Sequence, residues 1–138
     1  MTGEYKHTLD SKGRVFIPAK LREELGDVFY ITVSMDRCLC AYSNESWKRF
    51  SDRVNAMSYT EQRKMRLLFA CASKCELDNQ GRVLIPAMLR EYAGLTKNVT
   101  VIGCNNHAEL WDEACWDEIH KRELSPENIA AVMQELGF

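Results

Sequence analysis

DSKGRVFIPAKLREELG, from Asp10 to Gly26, recurs as DNQGRVLIPAMLREYAG, from Asp78 to Gly94, with eleven of the seventeen aligned residues identical. The similarity continues at the same offset into Tyr-Ile-Thr-Val at 30–33 and Asn-Val-Thr-Val at 98–101. The chain is therefore a tandem duplication, and two copies are too few for an open solenoid. We place the first copy at residues 4–48, a helical linker at 49–71, the second copy at 72–117 and a helical tail at 118–138.

Each copy of the repeated motif predicts a tight turn, then a strand, then a short helix. An Asp caps nearby backbone N–H groups and a Gly takes positive φ, which is the chemistry of a turn. The residues expected to brace the two turns are Asp10, Gly13, Asp78 and Gly81. The β-branched residues at 14–17 and 82–85 predict strands. Pro18 and Pro86 are expected at the first positions of the helices, which suit a residue without N–H.

Further strands and helices are expected around this motif. The apolar segments predict strands at Phe29–Met35, Leu39–Tyr42, Val99–Gly103 and Ala108–Trp111. Ser58 and Glu61 form a capping-box pattern at the start of a linker helix. We expect Asn44 or Ser46 to cap the helix before it, and Ser125 to cap the C-terminal helix.

One copy by itself would leave too much apolar surface exposed for a stable core. We therefore expect the two copies to complete one shared sheet system, related by a pseudo-twofold axis. The fold class that follows is mainly β with short helices, an α+β protein.

The composition limits the kind of partner and the compartment. The formal charge is −2 and the pI about 5.9, so any DNA binding needs basic residues gathered on one face. The N-terminal segment has no apolar stretch typical of an export signal, and no apolar run is long enough to span a membrane, so we expect a cytoplasmic protein. In that compartment the six cysteines are expected to be free and mostly buried thiols. They are Cys38, Cys40, Cys71, Cys75, Cys104 and Cys115.

Motifs for enzymes and metal sites are incomplete. His107-Ala-Glu109 is the H-x-E of zinc deaminases, but the Pro-Cys-x-x-Cys that completes that signature does not follow it. The cysteines lack the paired C-x2-C spacing of structural zinc sites, and no P-loop, G-x-G-x-x-G or G-x-S-x-G motif is present. The sequence therefore predicts no enzyme, no cofactor, no metal site and no small-molecule substrate.

Three segments carry a resemblance to a known family: GEYKHTLDSKGR from Gly3, ELDNQGR from Glu76 and VIGCNNHAELW from Val101. Together they resemble the MraZ family of bacterial transcriptional regulators, which contain two SpoVT-AbrB domains. The resemblance implies AbrB-like halves with a swapped-hairpin, double-split β-barrel architecture. It also implies a ring-shaped homo-oligomer, an octamer or dodecamer, associated with the nucleoid. Such a ring would bind short direct repeats in double-stranded DNA upstream of its own division and cell-wall gene cluster and repress that cluster.

Basic residues around the first turn are the candidate DNA contacts. Lys and Arg suit phosphate oxygens, and Arg also forms bidentate hydrogen bonds with guanine. The candidates are Arg14, Lys12, Lys6 and Lys20, with Arg82 as the repeat equivalent of Arg14; in the family, the Arg of this turn is tied to DNA binding. The second copy has Gln80 and Met88 where the first has Lys12 and Lys20. The first copy is therefore the better candidate.

Other interpretations of the same residues remain open at this point. Arg14 can pair with Asp10 and brace the turn, as Arg82 can with Asp78, and this bracing is compatible with DNA binding. Arg22 and Arg90 are expected in salt bridges at the rim of the core or at an interface, and the tryptophans in the core or an interface. The alternative function is an oligomeric, antitoxin-like module of the same fold that binds a protein partner through its loops.

Overall fold

The computed structural model describes the whole chain, Met1–Phe138, as an α+β fold with a mostly antiparallel sheet and short helices. The strands are β1 (Glu4–Thr8), β2 (Arg14–Phe16), β3 (Val28–Val33), β4 (Leu39–Ser43), β5 (Ser73–Glu76), β6 (Arg82–Leu84), β7 (Asn98–Cys104) and β8 (His107–Asp112). The helices are α1 (Ala19–Leu25), α2 (Asn44–Asn55), α3 (Tyr59–Lys64), α4 (Arg66–Ala70), α5 (Ala87–Ala93), α6 (Glu113–Glu123) and α7 (Pro126–Glu135). None of these helices combines the length and the apolarity that a bilayer span requires.

Strands from the two copies are interleaved in one sheet. Its order is β1-β7-β8-β4-β3-β5, and a separate two-stranded ribbon joins β2 to β6. The equivalent strands of the two copies are β1 and β5, β2 and β6, β3 and β7, and β4 and β8. Exchanging them gives the same sheet order read from the opposite edge, as expected for a pseudo-twofold axis between β4 and β8. The expectation of one shared sheet system is therefore confirmed. It explains why the motif occurs twice: the first strand of each copy is hydrogen-bonded into the other copy's hairpin.

The core is built equally by the two copies. A cluster of 19 buried residues includes Leu21 from α1 and Leu89 from α5, each about 1 % exposed or less. Val15 and Val83, which face each other across the β2–β6 ribbon, also lie in it. Because alternate residues of a strand face opposite sides, burying these two valines leaves their neighbours on the outer face of the ribbon.

The helix ends correct several details of the sequence prediction. Pro18 and Pro86 lie one residue before their helices rather than at the first helical position. Ser43, and neither Asn44 nor Ser46, caps α2, because its hydroxyl accepts a hydrogen bond from the Ser46 N–H. The preceding strand ends at Ser43, so the same residue has the extended backbone that a cap requires.

Two other helices, α3 and α7, begin with the caps expected from the sequence. Ser58 and Glu61 form the complete capping box, and Ser125 accepts the N–H of Asn128 at the start of α7. The linker is not one continuous helix after Ser58, because Met65 separates α3 from α4 with φ −92° and ψ 0°.

Packing of the aromatic residues and cysteines partly matches the expectation. Trp47 is buried and stacks on Tyr30 with ring centroids 4.9 Å apart, and Trp111 is buried beside the half-buried Trp116. All six cysteines are free, but only half of them are buried. The buried thiols are Cys38, Cys40 and Cys75, whereas Cys71 and Cys104 are half-buried and Cys115 is exposed.

Candidate nucleic-acid interface

The two Asp-x-x-Gly turns have the same hydrogen-bonded geometry. In the first turn, the Gly13 N–H donates to the Asp10 carbonyl at 3.0 Å, and the Asp10 N–H donates to the Arg14 carbonyl at 2.9 Å. The Asp10 carboxylate also accepts the backbone N–H groups of Lys12 and Arg14, both at 2.9 Å. Gly13 has φ +83°, a value that favours glycine. The turn is therefore fixed by its own aspartate before any ligand arrives.

The motif arginines pair with their own aspartates, as one of the open interpretations expected. Arg14 Nε donates to Asp10 Oδ2 at 2.7 Å, and Arg82 Nε donates to Asp78 Oδ2 at 2.8 Å. Arg82 Nη1 also lies 3.7 Å from Asp10 Oδ2, so the two turns are adjacent. Each Nε–H is used by the turn, which leaves the other four N–H donors of each guanidinium.

Backbone hydrogen bonding is the main reason why the turn carboxylates stay ionised. It lowers the pKa of Asp10 from 3.8 to about 2, chiefly through the Arg14 N–H, with the Arg14 side chain contributing further. The pKa of Asp78 is lowered in the same way, with the Arg82 N–H as the largest cause. The negative charges thus hold the guanidinium groups in place throughout the physiological pH range.

The outer face of the β2–β6 ribbon combines the two arginines with two exposed apolar side chains. Arg14 lies opposite Leu84, and Phe16 lies opposite Arg82. Phe16 is 41 % exposed and Leu84 is 57 % exposed. The guanidinium carbon of Arg82 lies 6.0 Å from the centroid of the Phe16 ring. We call these four residues the ribbon face: a narrow, basic and partly apolar surface at the junction of the two copies.

Arg22 and Arg90 form no salt bridge within the chain, so the expected pairs at the rim of the core are absent, whereas pairs at an interface between subunits stay a prediction. Each lies against the turn of the other copy: Arg90 packs against Gly13, and Arg22 packs against Gly81. Their Nε atoms are buried and have no hydrogen-bond partner. Each short helix therefore packs, through its arginine, against the turn of the other copy. Glycine has no side chain, which leaves room at the turn for the guanidinium group.

The candidate lysines differ in their ion pairing. Lys12 and Lys20 are exposed and have no ion-pair partner. Lys6 instead pairs with Glu113 at 3.2 Å and Asp117 at 3.4 Å on α6, and this pairing raises its pKa, first through the Glu113 hydrogen bond. Lys12 is thus free beside Arg14 in the first turn, whereas Lys6 is paired with carboxylates but borders the same cleft as Phe16 of the ribbon face.

Comparison with known proteins identifies the family. A family model described as "MraZ protein, putative antitoxin-like" matches residues 1–69 and again residues 68–136. The chain belongs to the MraZ family. The double match follows the same duplication that the interleaved sheet displays.

Individual relatives align with this chain over most or all of its length. Proteins named "Transcriptional regulator MraZ" from Caldicellulosiruptor bescii and Acetivibrio thermocellus are each 45 % identical, over 142 and 140 residues. These alignments cover 100 % and 99 % of this chain, and 99 % and 98 % of the relatives. A protein of the same name from Carboxydothermus hydrogenoformans is 47 % identical over 118 residues, covering 83 % of this chain and 82 % of its own length.

The acid stability of this MraZ-family chain is expected to depend on Asp10. A carboxyl group whose pKa is lowered in the folded state binds fewer protons when folded, so its stabilising effect is complete above the unfolded pKa of about 3.9. The effect is lost as the pH falls towards the folded pKa of about 2. Asp10→Asn should therefore lower stability at neutral pH and flatten its decline between about pH 4 and pH 2.

Urea denaturation midpoints measured across this pH range check the prediction, at one protein concentration. Glu135→Gln is the matched control, because it removes an exposed carboxylate of α7 that takes part in no turn or ion pair. If Asp10→Asn and the wild type lose stability equally on acidification, the turn carboxylate has no such role.

Sequence reasoning missed two arrangements in this chain. The crossed contacts of Arg22 and Arg90 depend on how the copies interleave, which their spacing does not reveal. The second arrangement lies away from the ribbon face, where the side chains of Cys40, His107 and Glu109 meet, all ligand atoms lying within 4.8 Å of one another. The repeat alignment gave a partial signal for this cluster. After a one-residue insertion in the second copy, Cys40 and Glu109 occupy equivalent positions of the two copies.

Proposed function

We propose that the chain is a transcriptional regulator that binds double-stranded DNA sequence-specifically and acts as a repressor. The observation that supports it most strongly is the full-length similarity to proteins named transcriptional regulators, joined to a ribbon face that presents unused guanidinium donors. Those names describe regulators rather than enzymes. The family resemblance further favours short direct repeats upstream of the division and cell-wall gene cluster as the target, and a location on the nucleoid.

Arg14 is the proposed base-reading residue. A β-ribbon is narrow enough to enter the major groove, and the free N–H groups of Arg14 suit the two acceptors of guanine. Its side chain is 31 % exposed, against 20 % for Arg82, which also lies near a second carboxylate. The first copy therefore offers the more available arginine, and Arg82 is proposed as an auxiliary contact.

Lys12 and Lys20 are proposed as phosphate contacts that position the ribbon. Lys6 can contribute only by leaving Glu113 and Asp117. Exposed ion pairs of this kind are worth only about 0–1 kcal/mol, so a phosphate can replace them. The net charge of −2 gives no general attraction to DNA, so these local charges carry the electrostatic attraction.

A homo-oligomeric ring, an octamer or dodecamer by family resemblance, is proposed as the active form. One ribbon face offers few contacts and would bind weakly. When a second protomer engages the next repeat, its binding becomes intramolecular and avidity rises by about 10²–10⁴. Repeats spaced near one helical turn, about 10 bp, would place successive ribbon faces on one side of the duplex.

A gel shift with the DNA immediately upstream of the gene tests this function, together with the mass of the protein in solution. We expect a shift of the upstream DNA, and affinity at least about 10³-fold lower for a scrambled sequence. The logarithm of affinity should fall steeply with the logarithm of salt concentration, by about 0.9 for each phosphate contact.

Absence of a shift at low salt, with a stable oligomer, would overturn DNA binding. It would favour the second candidate, an interaction module for a protein partner. The description "antitoxin-like" in the family model is the observation that supports this candidate.

A further inference from the structure

We propose that Cys40, His107 and Glu109 form a binding site for Zn²⁺ at the junction of the two copies. One ligand atom from each residue lies within 4.8 Å of the other two. Thiolate, imidazole and carboxylate are the three side-chain ligands that zinc accepts in proteins, commonly with a water completing the tetrahedron. The site is independent of the ribbon face and of the proposed DNA binding.

The sheet brings the three ligands together from distant parts of the chain. Cys40 lies in β4 of the first copy, and its backbone partner across the β4–β8 pairing is Glu109. His107 precedes Glu109 by two residues on β8, so its side chain projects from the same face of the sheet. The β4–β8 pairing is also where the pseudo-twofold axis passes, so a bound ion would link the two repeats directly.

The ligand side chains are oriented by neighbours outside the ligand set. His107 Nδ1 lies 2.8 Å from the Asn106 amide oxygen, which can only accept, so Nδ1 carries the proton and Nε2 faces the cluster. Trp111 Nε1 donates to one oxygen of Glu109 at 3.0 Å, which leaves the other oxygen 3.0 Å from His107 Nε2. Such partners are what hold zinc ligands in a binding geometry.

The burial of the three ligands favours a specific site over adventitious binding at the surface. Cys40 is only 6 % exposed, while His107 and Glu109 are half-buried. His107 lines an open cleft of about 440 Å³, and Glu109 lines a separate cleft beside Trp111 and Trp116. Two of the three ligands therefore border clefts that open to solvent.

Zinc binding at this cluster would release protons. Zinc takes thiolate, neutral imidazole and carboxylate as ligands, so protons on these groups must leave when the ion binds. His107 Nε2 lies 3.0 Å from Glu109 Oε2, so an ion bound between them would replace that contact. The affinity for zinc should therefore fall as the pH is lowered.

Titration of the purified, reduced and metal-stripped full chain with Zn²⁺ against a chromophoric chelator tests the proposal. We expect one zinc ion per chain, and a rise in Tm on saturation because zinc would bind the folded state alone. Co²⁺ in place of Zn²⁺ should give thiolate-to-metal charge-transfer absorption and the visible bands of a tetrahedral ion.

Variants separate the site from adventitious binding. Cys40→Ser should weaken zinc binding at least 100-fold and abolish the charge-transfer absorption, and Glu109→Gln, which keeps an acceptor for Trp111, should weaken binding about 10-fold or more. Cys115→Ser is the control, because it removes the exposed thiol and should leave one tight zinc ion per chain. Zinc binding that is substoichiometric, that survives Cys40→Ser in a folded chain, or that is lost in Cys115→Ser overturns the proposal.

Discussion

Arg14→Ala is expected to weaken binding to the upstream DNA by about 30-fold or more while leaving the oligomer intact. A bidentate contact with guanine contributes about 1–3 kcal/mol of discrimination, and at least two protomers would lose it at once. The substitution removes one half-exposed ion pair with Asp10 from the turn. Pairs of this kind contribute at most about 1 kcal/mol, so the fold should survive.

Three further variants serve as controls for this prediction. DNA titration measures their affinity, circular dichroism checks that they fold, and the mass in solution checks that they assemble as the wild type does. Lys64→Ala removes one positive charge from an exposed site on α3 without an ion pair, and should change affinity little. Arg82→Ala breaks the equivalent turn pair in the second copy and should cost less affinity than Arg14→Ala. Arg14→Lys keeps the charge but loses the bidentate geometry, so it should bind operator and scrambled DNA more equally.

Normal operator binding by a folded Arg14→Ala oligomer would mean that the guanidinium only braces the turn. Bracing of the turn is compatible with the proposed base reading by the same side chain. The Nε–H serves Asp10, while the donors at the far end of the guanidinium stay available. The aspartate thus restricts the side chain before binding, which reduces the entropy lost when it meets a base.

The local features of the fold could be predicted from the sequence because short-range chemistry determines them. The Asp-x-x-Gly turns and the capping box at Ser58 each depend on residues within five positions of one another. The shared sheet was also predictable, since one copy is too small to bury its own apolar residues. The prediction of helix starts at Pro18 and Pro86 was wrong by one residue, because a proline also suits the extended residue before a helix.

The long-range features could not be predicted, because they depend on how the copies interleave. Arg22 and Arg90 lie on short helices, where the sequence predicts salt bridges at the rim of the core or at an interface. Packing instead places them against glycines of the opposite copy. The cluster of Cys40, His107 and Glu109 was hidden for the same reason, since two of its members lie more than sixty residues from the third in the chain. Only the β4–β8 register brings them together.

The two copies differ at some equivalent positions and are identical at others. The turns and their supporting arginines are kept in both copies, because each copy's turn rests on the other copy's helix. The basic side chains around the turns differ, with Lys12 and Lys20 replaced by Gln80 and Met88. Structural residues are thus shared by both copies, whereas the residues proposed to meet DNA are concentrated in the first.

Gly13→Ala is expected to destabilise the fold by about 2–3 kcal/mol, and Gly81→Ala by a similar amount. Gly13 has φ +83° and Gly81 has φ +78°, and a side chain at such angles costs about 1–3 kcal/mol. A Cβ at Gly13 would also lie 2.6 Å from Arg90 Nη1 and 2.8 Å from Arg90 Cζ. These atoms are the far end of a flexible side chain, so the guanidinium can shift, but in shifting it gives up its packing against the turn.

Gly94→Ala is the matched control for the backbone part of this cost. Gly94 has φ +64°, but a Cβ there would meet no atom within 4 Å, so we expect a loss of only about 1 kcal/mol. Urea denaturation at one fixed protein concentration measures both losses, since the proposed assembly would contribute to apparent stability. The double variant Gly13→Ala with Arg90→Ala should lose less than the sum of the single losses, because removing the guanidinium relieves the clash. Equal losses for Gly13→Ala and Gly94→Ala would show that the turn does not rest on the opposite helix, and the crossed support of the two copies would have to be abandoned.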